Sequence, residues 1–339
     1  MARRFVSIAL PALNEEAYIA AAVSSVLPST DDFDFEVLVM DGGSRDRTCE
    51  LVRQMARDNP RIRLVHNEKR LQSAAINLAA RIAHPDSTII LRADCHATYP
   101  AGFVERCVRQ MQETGAHSVV VPMRTVGRQC FQRAVAATQN SKLGNGGASH
   151  RASGQSGWVE HGHHAAFDRT FFLSLGGYDE SFSHNEDAEL DRRIVTAGGH
   201  IWMDGGNVVD YFPRSTVAGL ARQYVNHGKG RARTVRKHKV PLKLRQMVPL
   251  VILAGCAGGL ILAPLFLGFL LVPLSYAAMC CGWGAVAALR RRDRCLAAMG
   301  IAAMAMHLGW AVGFLRGLFL APVPAPLQAG DEQPAMTKN

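Results

Sequence analysis

A stretch of 43 residues, Met247–Leu289, contains no Asp, Glu, Lys or Arg. A helix that crosses a bilayer needs about 20 apolar residues, so this stretch is long enough for two spans. A third apolar run, Cys295–Pro322, carries a single charge, Arg316, near its far end, where a long side chain can reach the membrane interface. A buried helical hairpin in a soluble domain is disfavoured because the stretch is so long without a charge. The sequence therefore predicts a transmembrane region of about three helices over residues 247–322.

Basic residues around the uncharged stretch predict its orientation. Lys243 and Arg245 precede the first predicted span, and the cluster Arg290–Arg294 lies between the second and the third. Short loops rich in Lys and Arg stay in the cytoplasm, so both basic segments belong on that side. We therefore expect a multi-pass protein of a bacterial-type inner membrane, with residues 1–246 in the cytoplasm and the short tail, residues 323–339, outside. A secretory signal is not expected, because a proline breaks the first apolar run and acidic residues follow it.

The formal net charge is +10, and the run Lys229–Arg245 supplies eight Lys or Arg without an acid. Such a run can bind nucleic acid, but its position directly before a predicted span is better explained by anionic lipid headgroups or phosphate-bearing ligands. We therefore expect membrane lipids, and not nucleic acid, as its partner. The eight cysteines contain no C-x-x-C pair, and we interpret them as cytosolic thiols and small core fillers.

Strands and helices alternate in the first part of the chain. The pattern predicts strands over Arg4–Leu10, Phe35–Asp41, Ile62–His66, Thr88–Arg92 and Ser118–Val121. Between them it predicts a helix over Ala17–Leu27, one ending near Asp58, and helices over Gln72–Ile82 and Gly102–Thr114. This alternation is typical of an α/β fold, a mostly parallel sheet flanked by helices. The first strand is not followed by G-x-G-x-x-G, so a dinucleotide-dependent oxidoreductase is disfavoured.

The second part of the globular region has fewer predicted strands, Ile201–Met203 and Val208–Phe212. Helices are predicted over Asp168–Leu175, from about Phe182 to Ile194, and over Gly219–Asn226. A segment rich in Gly, Ser and Asn, residues 141–157, reads as a mobile loop beside the site.

Two acidic residues, Asp41 and Asp94, each end a predicted strand. The carboxyl ends of parallel strands form the ligand-binding edge of an open sheet, so both are candidate site residues. Asp94 and His96, two apart in an extended segment, can turn toward one divalent cation that bridges phosphates. A turn or helix-cap role is the alternative for Asp94.

Three histidines, His161, His163 and His164, occur within four positions. Their spacing is not that of a conventional zinc site, and we favour hydrogen-bonding or packed roles for them.

Several motifs follow the order found in the inverting family 2 glycosyltransferases. Pro11-x-x-Asn14-Glu15 resembles the opening strand-end motif of that family, and Asp41-Gly-Gly-Ser44-x-Asp resembles its nucleotide-sugar signature. Asp94-Cys-His96 resembles the D-x-D position, with His in place of the second Asp. The resemblance covers roughly residues 5–240 and implies a GT-A fold. Within the family the chain is most similar to the glucosyltransferases of succinoglycan synthesis, through Arg-Ala-Asp-x-His-Ala, Gly-Arg-Ala-Arg and the hydrophobic carboxyl-terminal tail.

The resemblance also implies roles for individual residues. The nucleotide-sugar-binding half would be residues 1–122 and the acceptor-binding half residues 123–246. Asp94 and His96 would hold Mg or Mn on the donor diphosphate. Asp187 matches the catalytic base and Glu186 its neighbour, whereas the pattern alone would make them acids that stabilise a helix N-terminus. The donor contacts that the resemblance implies are Pro11, Asn14, Glu15, Asp41, Ser44, Arg70, Asp94 and Arg231.

We therefore expect a membrane-anchored inverting glycosyltransferase that moves a sugar from a nucleotide sugar, expected to be UDP-glucose, to a polyprenyl-diphosphate-linked glycan in exopolysaccharide or other cell-surface glycan synthesis. One alternative is a polyprenyl-phosphate sugar synthase, which would charge bare polyprenyl phosphate. Another is an inactive, membrane-tethered nucleotide-binding subunit. The joint presence of Asp41, Asp94 and Asp187 disfavours that second alternative.

Overall fold

The computed structural model describes residues 4–141, 144 and 154–320. Most of the predicted loop of residues 141–157, and the whole predicted tail of residues 323–339, lie outside the described residues.

The first part of the chain alternates strands and helices as predicted. Strands β1 to β4 are Arg4–Ala12, Phe33–Asp41, Ile62–His66 and Ser87–Arg92, and helices α1 to α3 between them are Ile19–Ser25, Thr48–Asp58 and Gln72–Ile82. The short strand β5 (Ala97–Thr98), helix α4 (Phe103–Thr114) and strand β6 (Ser118–Val121) follow. β1 pairs in parallel with β2 and β4, and β2 pairs in parallel with β3. The predicted elements of this part are therefore confirmed.

The next part of the chain adds strands to this sheet and to a second, smaller sheet. Its strands are β7 (Met123–Thr125), β8 (Gly157–Val159), β9 (His163–Asp168), β10 (Ile201–Met203) and β11 (Val209–Tyr211). Its helices are α5 (Cys130–Gln139), α6 (Arg169–Ser174) and α7 (Glu186–Thr196). Over the described residues, the large sheet has the order β3-β2-β1-β4-β9-β6-β10-β8, and a small sheet has the order β5-β11-β7. The two predicted halves of the globular region thus share one sheet.

Two strands of the large sheet are not predicted by the sequence: β8, at its edge, and β9. β9 is the more central of the two. It lies between β4 and β6 and is antiparallel to both. Of the seven pairings in the large sheet as described, four are parallel and three antiparallel, so the sheet is mixed beyond β4. β9 begins with two histidines and lacks the apolar pattern of its neighbours, which is why the sequence pattern predicts no strand for this segment.

Both faces of the large sheet are covered by helices. Val6, Ile8 and Leu10 of β1 pack into one apolar cluster with α1 and α4, whereas Ala9 lies in a second cluster with α3 and α7. Successive side chains of a strand point to opposite faces, so a strand buried on both faces reads as a continuous apolar run. Because the central strands are buried on both faces, they can be recognised in the sequence.

The carboxyl-terminal part of the described chain is helical. Its helices are α8 (Val217–His238), α9 (Leu244–Leu262), α10 (Leu271–Arg291) and α11 (Met299–Phe319). Three helical segments are long and apolar enough to cross a membrane: Leu244–Leu262, Leu267–Arg291 and Arg294–Phe319. They coincide with the three predicted spans. Helix α8 extends well beyond its predicted end at Asn226 and carries most of the basic run.

Cys130 of α5 and Cys295 form a disulfide between residues 165 positions apart in the chain. The interpretation of all the cysteines as thiols is therefore wrong for this pair. The free cysteines among the described residues are Cys49, Cys95, Cys107, Cys256, Cys280 and Cys281. The bond ties the segment before α11 to the globular region, by which we mean the elements β1 to α8.

Candidate active site

A cleft of about 460 Å³ opens at the carboxyl ends of β1 to β4. One wall is formed by the loops that follow these strands. The opposite wall is formed by Gln132 of α5 and by residues 211–215 after β11. This is the edge at which open α/β sheets bind their ligands, as the strand-end acids predict.

The structure brings five of the predicted site residues to this cleft. They are Pro11, Glu15, Arg70, Asp94 and His96. Asn14, Asp41, Ser44 and Arg231 are not among its lining residues.

Asp41 shapes a turn beside the cleft. Its carboxylate accepts hydrogen bonds from the backbone N–H groups of Gly43, at 2.9 Å, and Ser44, at 3.1 Å. Burial alone would raise the pKa of Asp41, but these hydrogen bonds hold it below its usual value. Gly43 has a φ of 87°, which side chains rarely tolerate, so the turn needs a glycine there. In this structure Asp41 lines a separate cavity behind the turn, while Gly42 reaches the cleft.

Asn14 and Ser44 join the loops after β1 and β2. The backbone N–H of Asn14 donates to Ser44 Oγ at 2.9 Å, and the backbone N–H of Arg45 donates to Asn14 Oδ1 at 2.8 Å. These hydrogen bonds therefore hold the two loops together.

Asp94 and His96 face the same cleft but engage different partners. Gln72 Nε2 donates to Asp94 Oδ1 at 2.5 Å, whereas His96 Nε2 lies 2.9 Å from Glu15 Oε1. Glu15 Oε2 is buried and has no hydrogen-bond partner among the described residues.

These residues have the chemistry of a shared cation site. Within the described chain, no three His, Cys, Asp or Glu side chains converge as a metal cage. Glu15 and Asp94 both line the open cleft, and carboxylates in such a place fit a hard cation that completes its shell with phosphate oxygens. Glu15 therefore joins Asp94 and His96 as a candidate ligand, a role that the sequence did not suggest.

Arg92 connects Asp94 to the acidic pair on α7. Its side chain is only 5% exposed, and its guanidinium lies 3.4 Å from Asp94, 3.8 Å from Glu186 and 2.7 Å from Asp187. The predicted metal ligand and the predicted base are thus neighbours across one buried cation. Sequence reasoning did not single out Arg92. The available signal was a charge inside an apolar strand, because a buried Arg needs partners.

Two histidines of β9 complete this cluster. His163 lies between the two acids, with Nε2 3.9 Å from Asp94 Oδ2 and Nδ1 3.8 Å from Asp187 Oδ2. His164 is fully buried, with Nε2 2.6 Å from Asp191 Oδ1 and Nδ1 3.4 Å from Asp187 Oδ1. The hydrogen-bonding interpretation is confirmed for His164 and for His161, both of which bond to Asp191.

The adjacent acids Glu186 and Asp187 have opposite pKa shifts. Burial alone would raise the pKa of Asp187, but Arg92 and His164 hold it well below its usual range. Burial raises the pKa of Glu186, and the charge of Asp187 raises it further. The resting site therefore favours the carboxylate form of Asp187, while Glu186 titrates closer to neutral pH.

The protonated side chain of His164, held between Asp187 and Asp191, should make the stability of the protein depend on pH. Burial alone would lower the pKa of His164, but Asp191 and Asp187 raise it to about 9. When the pKa of a histidine is higher in the folded than in the unfolded protein, its protonation stabilises the folded state. This stabilisation is complete below the unfolded-state pKa, about 6.5, and is lost as the pH rises through the folded-state pKa. We expect the free energy of unfolding to fall by up to about 3 kcal/mol between pH 6.5 and pH 9.5.

Melting temperatures across this pH range test the expectation. His164→Gln should remove this slope, whereas His66→Gln, at the exposed end of β3, should keep it. An unchanged slope in His164→Gln would assign the pH dependence to another group.

Comparison with known proteins identifies the class and then the family. The chain is similar to the mannosyltransferase PcManGT from Pyrobaculum calidifontis, solved in complex with GDP-Man and Mn2+, with a TM-score of 0.56 and 19% identity, over 93% of this chain and 87% of that one. The fold is thus that of the GT-A glycosyltransferases, as predicted. The family model for glycosyl transferase family 2 matches residues 7–176. The protein belongs to this family and is a glycosyltransferase.

Two curated relatives support the assignment. The succinoglycan biosynthesis protein ExoA of Rhizobium meliloti (strain 1021) is 45% identical over 312 residues, which cover 92% of this chain and 94% of that protein. The resemblance noted from the motifs is therefore confirmed. A dolichyl N-acetyl-alpha-D-glucosaminyl phosphate 3-beta-D-2,3-diacetamido-2,3-dideoxy-beta-D-glucuronosyltransferase of Methanococcus voltae is 23% identical over 244 residues, 69% of this chain and 74% of that protein.

Proposed function

We propose that this glycosyltransferase moves a sugar from a nucleoside-diphosphate donor to a lipid-linked glycan at the membrane, with inversion at the anomeric carbon. The observation that carries the proposal is the cluster around Arg92, which joins cleft-lining Asp94 to Asp187 at the start of α7. A donor in the cleft would then present its sugar beside the carboxylate of Asp187. The similarity to a protein named for succinoglycan biosynthesis favours exopolysaccharide synthesis as the setting.

The donor side of the proposal concerns the loops after β1 to β4. Pro11, Glu15, Arg70 and Asp94 are proposed as direct donor contacts because they line the cleft. We assign Asn14, Asp41 and Ser44 to the turns that support this wall. UDP-glucose is the proposed donor, by resemblance to the glucosyltransferases of the family.

The same cleft is proposed to hold Mg or Mn at Asp94, His96 and Glu15. When bound, such an ion supplies positive charge that stabilises the leaving diphosphate. The PcManGT structure contains Mn2+ with its nucleotide sugar, which supports a divalent cation for this fold.

Asp187 is proposed to take the proton of the acceptor hydroxyl as its oxygen attacks the anomeric carbon. Arg92 Nη1 and Tyr178 OH both donate to Asp187 Oδ1, at 2.7 Å and 3.1 Å, and so fix the carboxylate. His163 Nδ1 lies 3.8 Å from the other oxygen, Oδ2, which we assign to the acceptor hydroxyl. A single displacement of this kind inverts the anomeric centre.

The acceptor is proposed to be a polyprenyl-diphosphate-linked glycan reaching the site along α8. Asn185, directly before the acidic pair, donates from Nδ2 to Thr234 Oγ1 of α8 at 2.7 Å. One turn before Thr234, Arg231 has a buried Nε without a partner among the described residues. Burial lowers the pKa of Arg231, and the charge of Arg245 lowers it further. A diphosphate would supply the missing negative charge. The basic surface of α8 would lie at the cytoplasmic face of an inner membrane.

Product analysis tests the proposal. Membranes containing the protein are incubated with a panel of radiolabelled nucleotide sugars, and the lipids are then extracted. We expect label in the lipid fraction with UDP-glucose, and only when a lipid-linked glycan is present. Label on bare polyprenyl phosphate would instead identify a polyprenyl-phosphate sugar synthase. Donor binding without any turnover would identify an inactive subunit.

A further inference from the structure

Helix α11, the third candidate span, packs closely against α8 of the globular region. Gly309, Gly313 and Gly317 recur every four residues on the contacting face of α11. A Cβ at Gly309 would lie 2.9 Å from Ala221 O, and one at Gly317 would lie 2.8 Å from Lys229 O. Gly313 has even less room, against the backbone of Val225. The two helices therefore run side by side, in the same direction, with their backbones in near contact.

Both ends of α11 are tied to the globular region. Near its start, Thr138 Oγ1 of α5 donates to Met299 O at 3.3 Å, and Cys295 is bonded to Cys130. At its far end, Arg236 Nη1 of α8 donates to Gly317 O at 3.1 Å. A helix whose two ends contact one soluble body cannot place those ends on opposite sides of a bilayer.

Helix α8 cannot accompany α11 through a membrane. Along one helix it carries Lys229, Arg231, Arg233, Arg236 and Lys237. Each such charge at a bilayer centre costs about 2.5–3.5 kcal/mol on insertion scales. Its far end is also fixed to the globular region, because Lys237 Nζ lies 2.7 Å from Asp179 and 2.6 Å from Glu189.

The buried fraction of α11 distinguishes it from the other two candidate spans. In the most apolar window of each segment, 6% of residues are buried for Leu244–Leu262, 11% for Leu267–Arg291 and 44% for Arg294–Phe319. Lipid can cover the first two helices on nearly all sides, whereas protein already covers much of the third.

We propose that α11 does not cross the membrane: it stays packed on α8, beside the hairpin, and keeps both of its ends on the side of the globular region. The pair α9 and α10 then forms the membrane-crossing hairpin among the described helices, and residue 320 lies on the same side as the globular region. The outer face of α11 exposes Ile301, Leu315 and Phe319, which are 44%, 37% and 74% exposed. We assign lipid to this face, because α11 packs beside the hairpin: Tyr276 OH of α10 lies 3.0 Å from His307 Nδ1. This arrangement replaces the sequence-based expectation of three spans and does not depend on the sugar donor or acceptor.

Protease protection of the full-length protein in spheroplasts and in inverted membrane vesicles tests the proposal. Three versions of the protein carry one epitope tag each, before Met1, at the hairpin tip next to Leu265, or after Asn339. We expect the two terminal tags to be cleaved in the same preparation, and the tip tag in the other. Cleavage of the tag after Asn339 together with the tip tag would restore the third span and overturn the proposal.

A glycine pair provides a second measurement. Gly313→Leu adds a side chain at the contact with α8, whereas Gly282→Leu adds one on α10 where nothing lies within 4 Å. We expect Gly313→Leu to lower the melting temperature of the purified protein and to reduce its turnover several-fold. Gly282→Leu should change neither quantity. A freely lipid-exposed third span would accept both leucines equally, and that result would count against the packing of α11 on α8.

Discussion

Asp187→Asn should reduce turnover by roughly 10²–10⁴ while nucleotide-sugar binding persists. Asparagine keeps the shape of the side chain and can still accept from Arg92 and Tyr178, but its amide cannot take a proton from the acceptor. If Asp187 only stabilised the N-terminus of α7, asparagine would cost well under about 1 kcal/mol and turnover would be nearly unchanged. Single-turnover measurements on purified, detergent-held protein separate the chemical step from binding.

The neighbouring acid supplies the control. Glu186→Gln should be milder, because Glu186 contacts Arg92 at 3.8 Å only and its own charge is disfavoured by burial. The pH profile distinguishes the two acids further. Asp187 raises the pKa of Glu186, so removing its charge lowers that pKa. If Glu186 were the base, Asp187→Asn would keep its rate and move the acid limb of the profile to lower pH. That outcome would remove Asp187 from the mechanism. Asp191 is no substitute, because it is buried and held by His161 and His164.

The sequence predicts the parts of the fold in which one physical signal dominates. β1, β2 and β4 are buried on both faces and so appear as unbroken apolar runs that end at the cleft. The strand-end position of Asp94 follows from such a run, and its place in the cleft was therefore predictable. The motif order identified the family for the same reason, since each motif marks the end of a strand or the start of a helix.

The parts that were missed depend on contacts between segments far apart in the chain. β9 is a central strand although it starts with polar histidines, because His164 finds Asp191 on α7 inside the fold. Arg92 contacts Glu186 and Asp187, which lie 94 and 95 residues further along the chain. No local sequence pattern reveals a pairing over that distance. In the arrangement proposed for α11, the sequence resembles a span because an apolar face that packs on protein has the same hydropathy as one that packs on lipid. Its four-residue glycine spacing is typical of close helix pairs in membranes and at protein contacts alike.

Asp94→Ala should abolish cation-dependent donor binding and turnover without unfolding the protein. Asp94 follows the last residue of β4, its side chain is 27% exposed, and it adds no apolar surface to the core. Arg92 would keep Glu186 and Asp187 as partners, so no buried charge is left alone. Loss of a partner beyond the direct ligands of a metal typically weakens its binding roughly 10–100-fold, and the loss of a ligand should exceed that. Calorimetry with UDP-glucose, in the presence and absence of Mn, measures the effect.

Asp210→Ala is the matched control for this variant. Asp210 has a similar exposure, 26%, and is also paired with an arginine, since Arg124 Nε donates to its Oδ1 at 2.7 Å, but it does not line the cleft. An exposed pair of this kind is worth about 0–1 kcal/mol, so Asp210→Ala should keep both donor affinity and melting temperature nearly unchanged. His96→Ala measures the contribution of His96 to the cation site separately. This variant should weaken only the Mn-dependent part of donor binding. Unchanged donor affinity and turnover in Asp94→Ala would mean that Asp94 is a turn residue, and the search for cation ligands would move to Glu15 and His163.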